Sequence, residues 1–302
     1  KEGGLVSMSY ARHETFYIRD GWLRKGLKLI EQRGYDFFRD DEAPEILGVG
    51  KNMVNSIRFW LRATGLVVQE GSEHVQSDLA IEIDKYDPYF EDIGTWWLIH
   101  YHLVTNPREA TTWYWFYNVF SRREFDEDTF IHWLQNYTVV EGTPIAESSL
   151  KKDFQCFVNT YLYEKRMEKG GSPEDNLNCP LRELKLLKRT GPKSFRVNFI
   201  NRDGLHPLIV YYVISHQNER EGNSGKTTVS KLLEADCNIG RVFGLTYEDV
   251  VFYLEKLQRE ELLTVSLTAG LDSVHLRGPN VISVLRDYYE SRKGNDGLWK
   301  IG

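Results

Sequence analysis

The stretch APEILGVGKNMVNSIRFWLRATGL, residues 43–66, decides the fold of the chain. It predicts a short helix over Ala43–Leu47, a turn at Gly48–Gly50 and a longer helix over Lys51–Ala63, in which apolar residues recur at helical spacing. The preceding segment Trp22–Arg33 predicts another helix that ends at Gly34. This order is typical of a helix-turn-helix, whose last helix enters the major groove of DNA.

A hairpin is predicted directly after the longer helix. Leu66-Val67-Val68 leads to a turn at Glu70-Gly71-Ser72 and a returning strand, which together would form the wing of a winged helix. The same order of three helices and a hairpin returns near the other end of the chain, over Pro207–His216, Thr227–Ala235, Tyr247–Glu261 and Leu262–Leu276. We therefore predict a mainly α fold with small β wings, in which winged-helix modules at both ends flank a helical middle domain.

Three consecutive domains follow from this pattern. Residues 1–77 form an N-terminal arm and winged helix, residues 78–170 an acidic, aromatic-rich helical domain, and residues 171–302 a basic strand segment with the second winged helix and a closing helix, Val281–Arg292. Gly170-Gly171-Ser172-Pro173 is the clearest linker. The predicted helices of the middle domain are Ile93–Val104, Ala110–Phe120, Asp126–Tyr137 and Ser149–Glu164.

The net charge of −6 is unevenly distributed. Residues 66–150 carry 4 Lys/Arg against 15 Asp/Glu, whereas residues 1–65 carry 11 against 9 and residues 151–302 carry 23 against 20. Because phosphate binding depends on local patches, the acidic middle does not exclude binding to nucleic acid.

The three cysteines show no paired spacing, which argues against a zinc site and a disulfide framework. The chain has no signal-peptide pattern at Lys1-Glu2-Gly3-Gly4 and no apolar run of the roughly 18 residues that a bilayer requires, so we expect a cytoplasmic protein with no membrane partner.

One face of the predicted helix Lys51–Ala63 carries Lys51, Asn52, Asn55 and Arg58. Lys and Arg neutralise phosphates, and Asn can recognise the edge of an adenine, so this face predicts a contact with double-stranded DNA. Lys25, in the first helix, is a further candidate for DNA binding. The alternative is a solvated face on a helix that only builds the core.

The N-terminal residues carry more functional chemistry than folding requires. His13 can move a proton near neutral pH, Arg12 and Arg19 can clamp a phosphate, and Glu14 can act as a base or bind a hard metal. This set is sufficient for cleavage of a phosphodiester. The alternative is an arm that docks on the next module through Phe16, Trp22 and local ion pairs.

Two further clusters are candidates for ligand binding. The basic stretch Arg182–Arg202, whose later part Ser194–Ile200 alternates like a strand, predicts a surface that binds the DNA backbone, or else a charged edge strand. Its candidate DNA-binding residues are Lys185, Lys188, Arg189, Lys193 and Arg196. An acidic turn could hold Mg²⁺ or dock a basic partner, through Asp84, Asp87, Glu91 and Asp92. Ordinary acidic turns are common, so no metal site is assigned and Mg²⁺ is only the candidate cofactor.

Two tempting signals are rejected. Gly225-Lys226-Thr227 resembles the end of a phosphate-binding loop, but Arg220 stands where its first glycine should be, and Thr227 or Thr228 is a better helix cap. His100 and His102 are two residues apart, so on a helix they point to different faces and cannot share a metal ion.

Three ordered blocks of sequence carry a family resemblance. They are Arg12-His13-Glu14-Thr15-Phe16 with Arg19 and Gly21–Gly26, then Leu47–Val54 with Arg58-Phe59-Trp60, and then Tyr86-Asp87-Pro88-Tyr89 with Thr95–Tyr101. Together they resemble the family catalogued as domain of unknown function 4007. The resemblance implies a role in a bacterial DNA phosphorothioation defence system, and it extends to the DNA-nicking component of the single-strand (Ssp) system. In such a system a nick opens the backbone, and sulfur reaches it from a cysteine desulfurase through a protein similar to phosphoadenosine-phosphosulfate reductase, with an ATPase assisting.

Two hypotheses about function remain open. In the first, the chain is a nicking endonuclease with His13 as the proton-transfer group, Arg12 and Arg19 as phosphate clamps and Glu14 as a metal ligand. In the second, it is a non-enzymatic adaptor or repressor that binds DNA and recruits partner proteins, since the sequence contains no recognised nuclease signature. The resemblance assigns no catalytic residue.

Overall fold

The computed structural model describes residues 8–163, 179–198, 200–222, 225–268 and 271–293. The first part of the chain contains helices α1 (Trp22–Arg33), α2 (Ala43–Leu47) and α3 (Lys51–Ala63), strands β1 (Val67–Glu70) and β2 (Glu73–Gln76), helices α4 (Asp78–Tyr86), α5 (Ile93–Val104) and α6 (Thr111–Asn118), strand β3 (Glu124–Asp126), and helices α7 (Glu127–Val140) and α8 (Glu147–Tyr161). The remainder contains strands β4 (Leu187–Arg189) and β5 (Ser194–Val197), helix α9 (Pro207–Arg220), strand β6 (Lys226–Thr228), helices α10 (Val229–Glu234), α11 (Ile239–Phe243) and α12 (Tyr247–Arg259), strands β7 (Leu263–Thr268) and β8 (Leu271–Leu276), and helix α13 (Val281–Lys293). The chain is thus mostly helical with small antiparallel sheets, as predicted.

The chain packs as two compact units, neither of which is continuous in sequence. The first unit comprises Lys1–Ala80 and His102–Phe199, and the second comprises Ile81–Tyr101 and Ile200–Gly302. The three consecutive domains inferred from the sequence remain a prediction.

In the first unit, α1, α2 and α3 precede the hairpin of β1 and β2. The bounds of α1, α2 and α3 are those predicted, and β1 pairs with β2 from Val67 opposite Gln76 to Glu70 opposite Glu73. Helices α1 and α3 pack closely at Gly26, where a Cβ atom would lie 2.7 Å from Leu61 Cδ1 and 2.8 Å from Ile57 Cγ2. Because no side chain larger than hydrogen fits there without displacing these groups, Gly26 sets the position of α3 against α1.

The rest of the first unit is built on an aromatic core and a sheet. Trp113 packs edge-on against Trp60 with ring centroids 5.3 Å apart, and Phe116 lies 4.3 Å from Phe157. The three strands run in the order β3-β5-β4, all antiparallel. The predicted strand within Ser194–Ile200 corresponds to β5, whereas β3 and β4 were not predicted.

The second unit contains α9, α10, α11, α12 and α13 around a sheet of order β6-β8-β7. Helix α12 begins with a capping box, in which Thr246 and Asp249 bond each other's backbone N–H groups. The predicted helix Thr227–Ala235 is wrong at its start, because Thr227 and Thr228 pair with Val274 and Ser273 in the sheet. Thr228 then caps α10 by accepting a bond from the Lys231 N–H at 3.1 Å, which agrees with the rejection of a phosphate-binding loop.

Some predicted features lie outside the described residues, namely the linker Gly170–Pro173, the end of the predicted helix at Glu164, and Ala269-Gly270 of the predicted hairpin Leu262–Leu276. Among the residues that are described, no helix combines the length and the apolar character needed to cross a membrane.

Candidate nucleic-acid interface and N-terminal turn

The N-terminal cluster forms a tight turn in an unusual backbone conformation. The Phe16 N–H donates to the His13 carbonyl at 2.8 Å, and both central residues, Glu14 and Thr15, have positive φ angles of 51° and 67°. Ala11, just before the turn, also has a positive φ of 52°. The left-handed region is strained for residues with a side chain, and more so for a β-branched one such as Thr15. Strain of this kind persists where the surrounding contacts enforce it, and it is common at functional sites.

His13 is fully buried and forms hydrogen bonds through both ring nitrogens. Its Nε2 lies 2.8 Å from Asp153 Oδ1, and its Nδ1 accepts a bond from the Thr15 N–H at 3.1 Å. These two contacts fit the neutral tautomer with the proton on Nε2. A group that transfers a proton to a substrate needs a nitrogen within hydrogen-bond reach of it, and in this arrangement both nitrogens are already bonded within the protein.

Asp153, on α8, is the anchor of the arm. Its Oδ1 accepts bonds from His13 Nε2 and from the Ala11 N–H at 2.8 Å, and its Oδ2 accepts one from Thr112 Oγ1 at 2.6 Å. A buried carboxylate is tolerated only when it is well bonded, and three donors meet that need here. Sequence analysis missed this residue, although a carboxylate on the apolar stripe of α8, between Leu150 and Phe157, is a signal that could have identified it.

The arm also docks on α3, as the alternative interpretation of the sequence proposed. The carbonyl of Phe16 accepts bonds from Trp60 Nε1 at 3.0 Å and from Ser56 Oγ at 3.4 Å. The Arg19 guanidinium lies 5.4 Å from the ring centroids of both Phe16 and Trp22.

The turn therefore separates the four predicted catalytic side chains. His13 is buried, Arg12 and Glu14 are exposed, and Arg19 is half-buried. Their catalytic roles remain a prediction.

The predicted DNA-binding residues of α3 share an accessible face. Lys51 and Asn52 are exposed, while Asn55 and Arg58 are half-buried. Lys51 Nζ lies 3.8 Å from an Asp41 carboxylate oxygen, and both side chains are largely in solvent, so this ion pair is weak. Lys25 Nζ donates to the Leu47 carbonyl at 3.2 Å, which places its charge at the end of α2, before the turn that leads to α3.

The basic side chains of β4 and β5 are divided between the two faces of the sheet, because successive side chains of a strand point to opposite faces. Lys188 lies opposite Arg196, and Arg196 opposite Glu124, so these three side chains share one face of the sheet. Arg196 Nη1 forms an ion pair with Glu124 at 3.3 Å.

The other basic side chains of this segment lie elsewhere. Arg189 is held over the Phe195 ring on the opposite face, Lys185 lies 5.2 Å from the Tyr163 ring, and Lys193 is exposed in the turn before β5. The five cations thus do not form one continuous patch, and their contact with DNA remains a prediction.

The acidic turn uses its carboxylates within the fold. Asp87 accepts bonds from the Glu91 and Asp92 N–H groups and from Thr95 Oγ1 at 2.7 Å, and burial raises its pKa. Asp92 accepts from the Gly94 N–H, from Tyr288 and from Arg292. Both carboxylates are therefore occupied, while Asp84 and Glu91 are exposed. Within the described ranges no group of three or more His, Cys, Asp or Glu side chains could hold a metal ion. Mg²⁺ usually takes only one or two carboxylates and substrate phosphates, so a Mg²⁺ site at this turn remains a hypothesis.

The histidines rejected as a metal pair have separate environments. His100 is fully buried, its Nε2 donates to the Val242 carbonyl at 2.9 Å, and burial lowers its pKa to about 4. His102 is half-buried beside Gly65.

Comparison with known proteins gives three results. Residues 10–289 match the family described as "Protein of unknown function (DUF4007)", and no curated protein matches. Two solved structures are similar: a magnesium ion-bound SspB crystal structure, with 26% identity and a TM-score of 0.82, and a further SspB crystal structure, with 27% identity and a TM-score of 0.83. Each similarity covers 96% of this chain and 90% of the other. The protein thus belongs to the DUF4007 family.

Proposed function

We propose that this chain is a DNA-binding protein of a bacterial DNA phosphorothioation defence system, with a role related to that of SspB. The similarity to SspB over nearly the whole chain supports the system. The accessible polar face of α3, next to a tight turn and followed by a hairpin, is the observation that carries the DNA-binding part of the proposal.

The proposed contact with DNA follows winged-helix geometry. Helix α3 enters the major groove, Lys51 and Arg58 neutralise phosphates, and Asn52 and Asn55 reach base edges. Lys25, beside the turn, adds a contact to the backbone, and the hairpin of β1 and β2 acts as the wing. The second unit repeats the order of helices and hairpin, and we propose it as a second winged helix.

The proposed activity is nicking of one DNA strand. The strained turn keeps Arg12 and Glu14 exposed on either side of the buried His13, so these two side chains remain available to a substrate, which supports the turn as the catalytic element. Arg12 and Arg19 would hold the phosphate and Glu14 would bind Mg²⁺ or act as a base. Since both nitrogens of His13 are bonded, we assign it a positioning role, and proton transfer by His13 would require the turn to open.

A non-enzymatic adaptor is the second candidate. It is favoured by the bonded state of His13, both of whose ring nitrogens are already bonded within the protein. In both candidates the partners are duplex DNA and the sulfur-transfer proteins: a cysteine desulfurase, a protein similar to phosphoadenosine-phosphosulfate reductase, and an ATPase.

Plasmid relaxation separates the two candidates. The full chain is incubated with supercoiled plasmid in Mg²⁺ or in EDTA, beside Glu14→Gln and the control Glu147→Gln, a change at an exposed carboxylate on α8. The nickase proposal predicts open circles with Mg²⁺, and a loss with Glu14→Gln but not with Glu147→Gln. If the plasmid stays intact under all conditions while the chain still binds DNA in a gel shift, the result contradicts the nickase proposal and supports the adaptor.

A further inference from the structure

A cavity in the second unit has no place in the function proposed so far. It has a volume of about 240 Å³ and opens between the loop that precedes α9 and the helices α12 and α13. Among the described residues, its charged lining consists of Arg202, Lys256 and Arg292 against one carboxylate, Asp203. Apolar and aromatic side chains, including Phe252 and Tyr288, complete the wall.

Two of the cations meet over one aromatic ring. The Arg202 guanidinium and Lys256 Nζ each lie 4.7 Å from the centroid of Phe252. Such contacts stabilise each cation but leave its hydrogen-bond donors available. Two positive charges held against the same ring repel each other, and an anion between them would offset that repulsion.

Each of the two arginines in the lining is held by a hydrogen bond from its Nε atom to an aspartate. Arg202 Nε donates to Asp249 at 2.6 Å, and Arg292 Nε donates to Asp92 at 3.1 Å. Neither Asp249 nor Asp92 lines the cavity. Within the described residues the Nη1 and Nη2 groups of both arginines have no hydrogen-bond partner, so each guanidinium is oriented and keeps its terminal donors for a ligand.

The loop at the floor of the cavity is rigidly held. The Tyr253 hydroxyl lies within hydrogen-bond distance of the carbonyls of Arg202 and Leu205, which share its one proton, and Trp97 Nε1 donates to the carbonyl of Gly204 at 2.6 Å. His206 adds no charge at neutral pH, because burial, and then the positive charge of Arg292, lower its pKa to about 4. The side chains that line the cavity therefore carry a net charge of about +2, which Asp249 and Asp92 offset from outside the lining.

We propose that this cavity binds the phosphate group of a nucleotide, with Arg202, Arg292 and Lys256 as the phosphate-binding residues. A phosphate monoester carries a charge of about −1.5 to −2 at pH 7 and three acceptor oxygens, which the terminal nitrogens of Arg202 and Arg292 and the Lys256 ammonium can bind. The volume exceeds that of a cavity that binds benzene, about 150 Å³, and lies below the roughly 300 Å³ at which sites for drug-sized ligands begin, which suits a phosphate with its sugar. The N-terminus of α9 contributes little, since Pro207 has no N–H and the Leu208 N–H is bonded to His206.

The phosphate has two possible sources, a free mononucleotide or the phosphorylated end of a DNA strand. The second source rests on the proposed function, because a nicked strand presents such an end. The first does not, and so the cavity can be tested apart from duplex binding.

Isothermal titration of the full chain with deoxyadenosine monophosphate and with deoxyadenosine tests the site. We expect binding of the nucleotide but not of the nucleoside, and a loss of about 10-fold in affinity with Lys256→Gln, the size expected for one charge-assisted hydrogen bond. Lys256 is the informative position because it forms no ion pair with a described carboxylate, so its replacement leaves no described carboxylate without its partner. Lys226→Gln, at an exposed lysine of β6 away from the cavity, should bind as the wild type does.

A second arm compares oligonucleotides with and without a 5′-phosphate for the wild type and Lys256→Gln. Tighter binding of the phosphorylated end that is lost with Lys256→Gln identifies a strand end as the ligand, whereas equal binding of both ends identifies the free nucleotide. The proposal is overturned if deoxyadenosine binds as well as its monophosphate, if Lys256→Gln leaves nucleotide affinity unchanged, or if no heat is measured up to about 1 mM. Lost duplex binding with intact nucleotide binding would instead contradict the proposed function alone.

Discussion

The contact between His13 and Asp153 gives the sharpest prediction about the N-terminal turn. In His13→Ala, Asp153 loses one of its three donors, and the ring is lost from its packing against Phe59 and Trp113, whose centroids lie 6.1 and 5.8 Å away. Removing a hydrogen bond to a charged group costs about 1.5–3 kcal/mol, and because the packing of the ring is lost as well we expect about 3 kcal/mol.

The variant His13→Gln distinguishes a positioning role of His13 from a role in proton transfer. The Gln amide can still donate to Asp153, so we expect it to recover most of the stability lost in His13→Ala, while it cannot act as an acid or base near neutral pH. Urea denaturation measures the free energy of unfolding, and plasmid relaxation measures nicking. If His13 positions the turn, His13→Gln retains nicking. His132→Ala, at an exposed histidine of α7, is the matched control and should change stability by less than about 0.5 kcal/mol.

Two results would refute this reasoning. Unchanged stability of His13→Ala would contradict the anchoring role. A stable, folded His13→Gln variant that has lost nicking by about 100-fold or more would assign proton transfer to His13 instead.

Three further predictions concern strain, packing and pH. Thr15→Gly should raise the free energy of unfolding by about 1 kcal/mol in urea denaturation, because glycine adopts a φ of 67° without strain; a loss of stability would contradict this. Gly26→Val should lower it by about 1–3 kcal/mol, since the new Cβ would lie 2.7 Å from Leu61, and wild-type stability would mean that α1 and α3 pack less closely. Three histidines of the second unit have pKa values lowered to about 4, so the unfolded chain binds more protons and stability should fall as the pH drops from about 6.5 towards 4, by up to about 3 kcal/mol for each. Urea midpoints at pH 5 and pH 7 check this, and equal midpoints would exclude neutral burial of His100, His206 and His216.

The features that depend on neighbouring residues were predictable from the sequence. The bounds of α1 and α3 were predicted correctly because Gly34, Gly50 and Thr64 mark their ends and apolar residues recur at helical spacing between them. The hairpin of β1 and β2 was predictable for the same reason, since Gly71 supplies the positive φ of its turn.

The features that depend on distant residues were not. The strand β3 exists because Glu124–Asp126 pairs with β5, some 70 residues later, and Thr227 belongs to a strand because it lies opposite Val274. The burial of His13 depends on a carboxylate 140 residues away. Local patterns identify which residues can do chemistry, but long-range packing determines which of them remain accessible.

The salt dependence of duplex binding tests the central claim most directly, namely that the face of α3 binds DNA. Fluorescence anisotropy with a labelled duplex is measured over a range of salt concentrations for the wild type, Lys51→Ala and the control Lys152→Ala, at an exposed lysine of α8. Lys51 makes only a weak, exposed ion pair, so stability should not change, while the affinity falls and the slope of log K against log salt decreases by about 1 in magnitude. Lys152→Ala should match the wild type in both. Equal affinity and slope for Lys51→Ala and the wild type would contradict the claim.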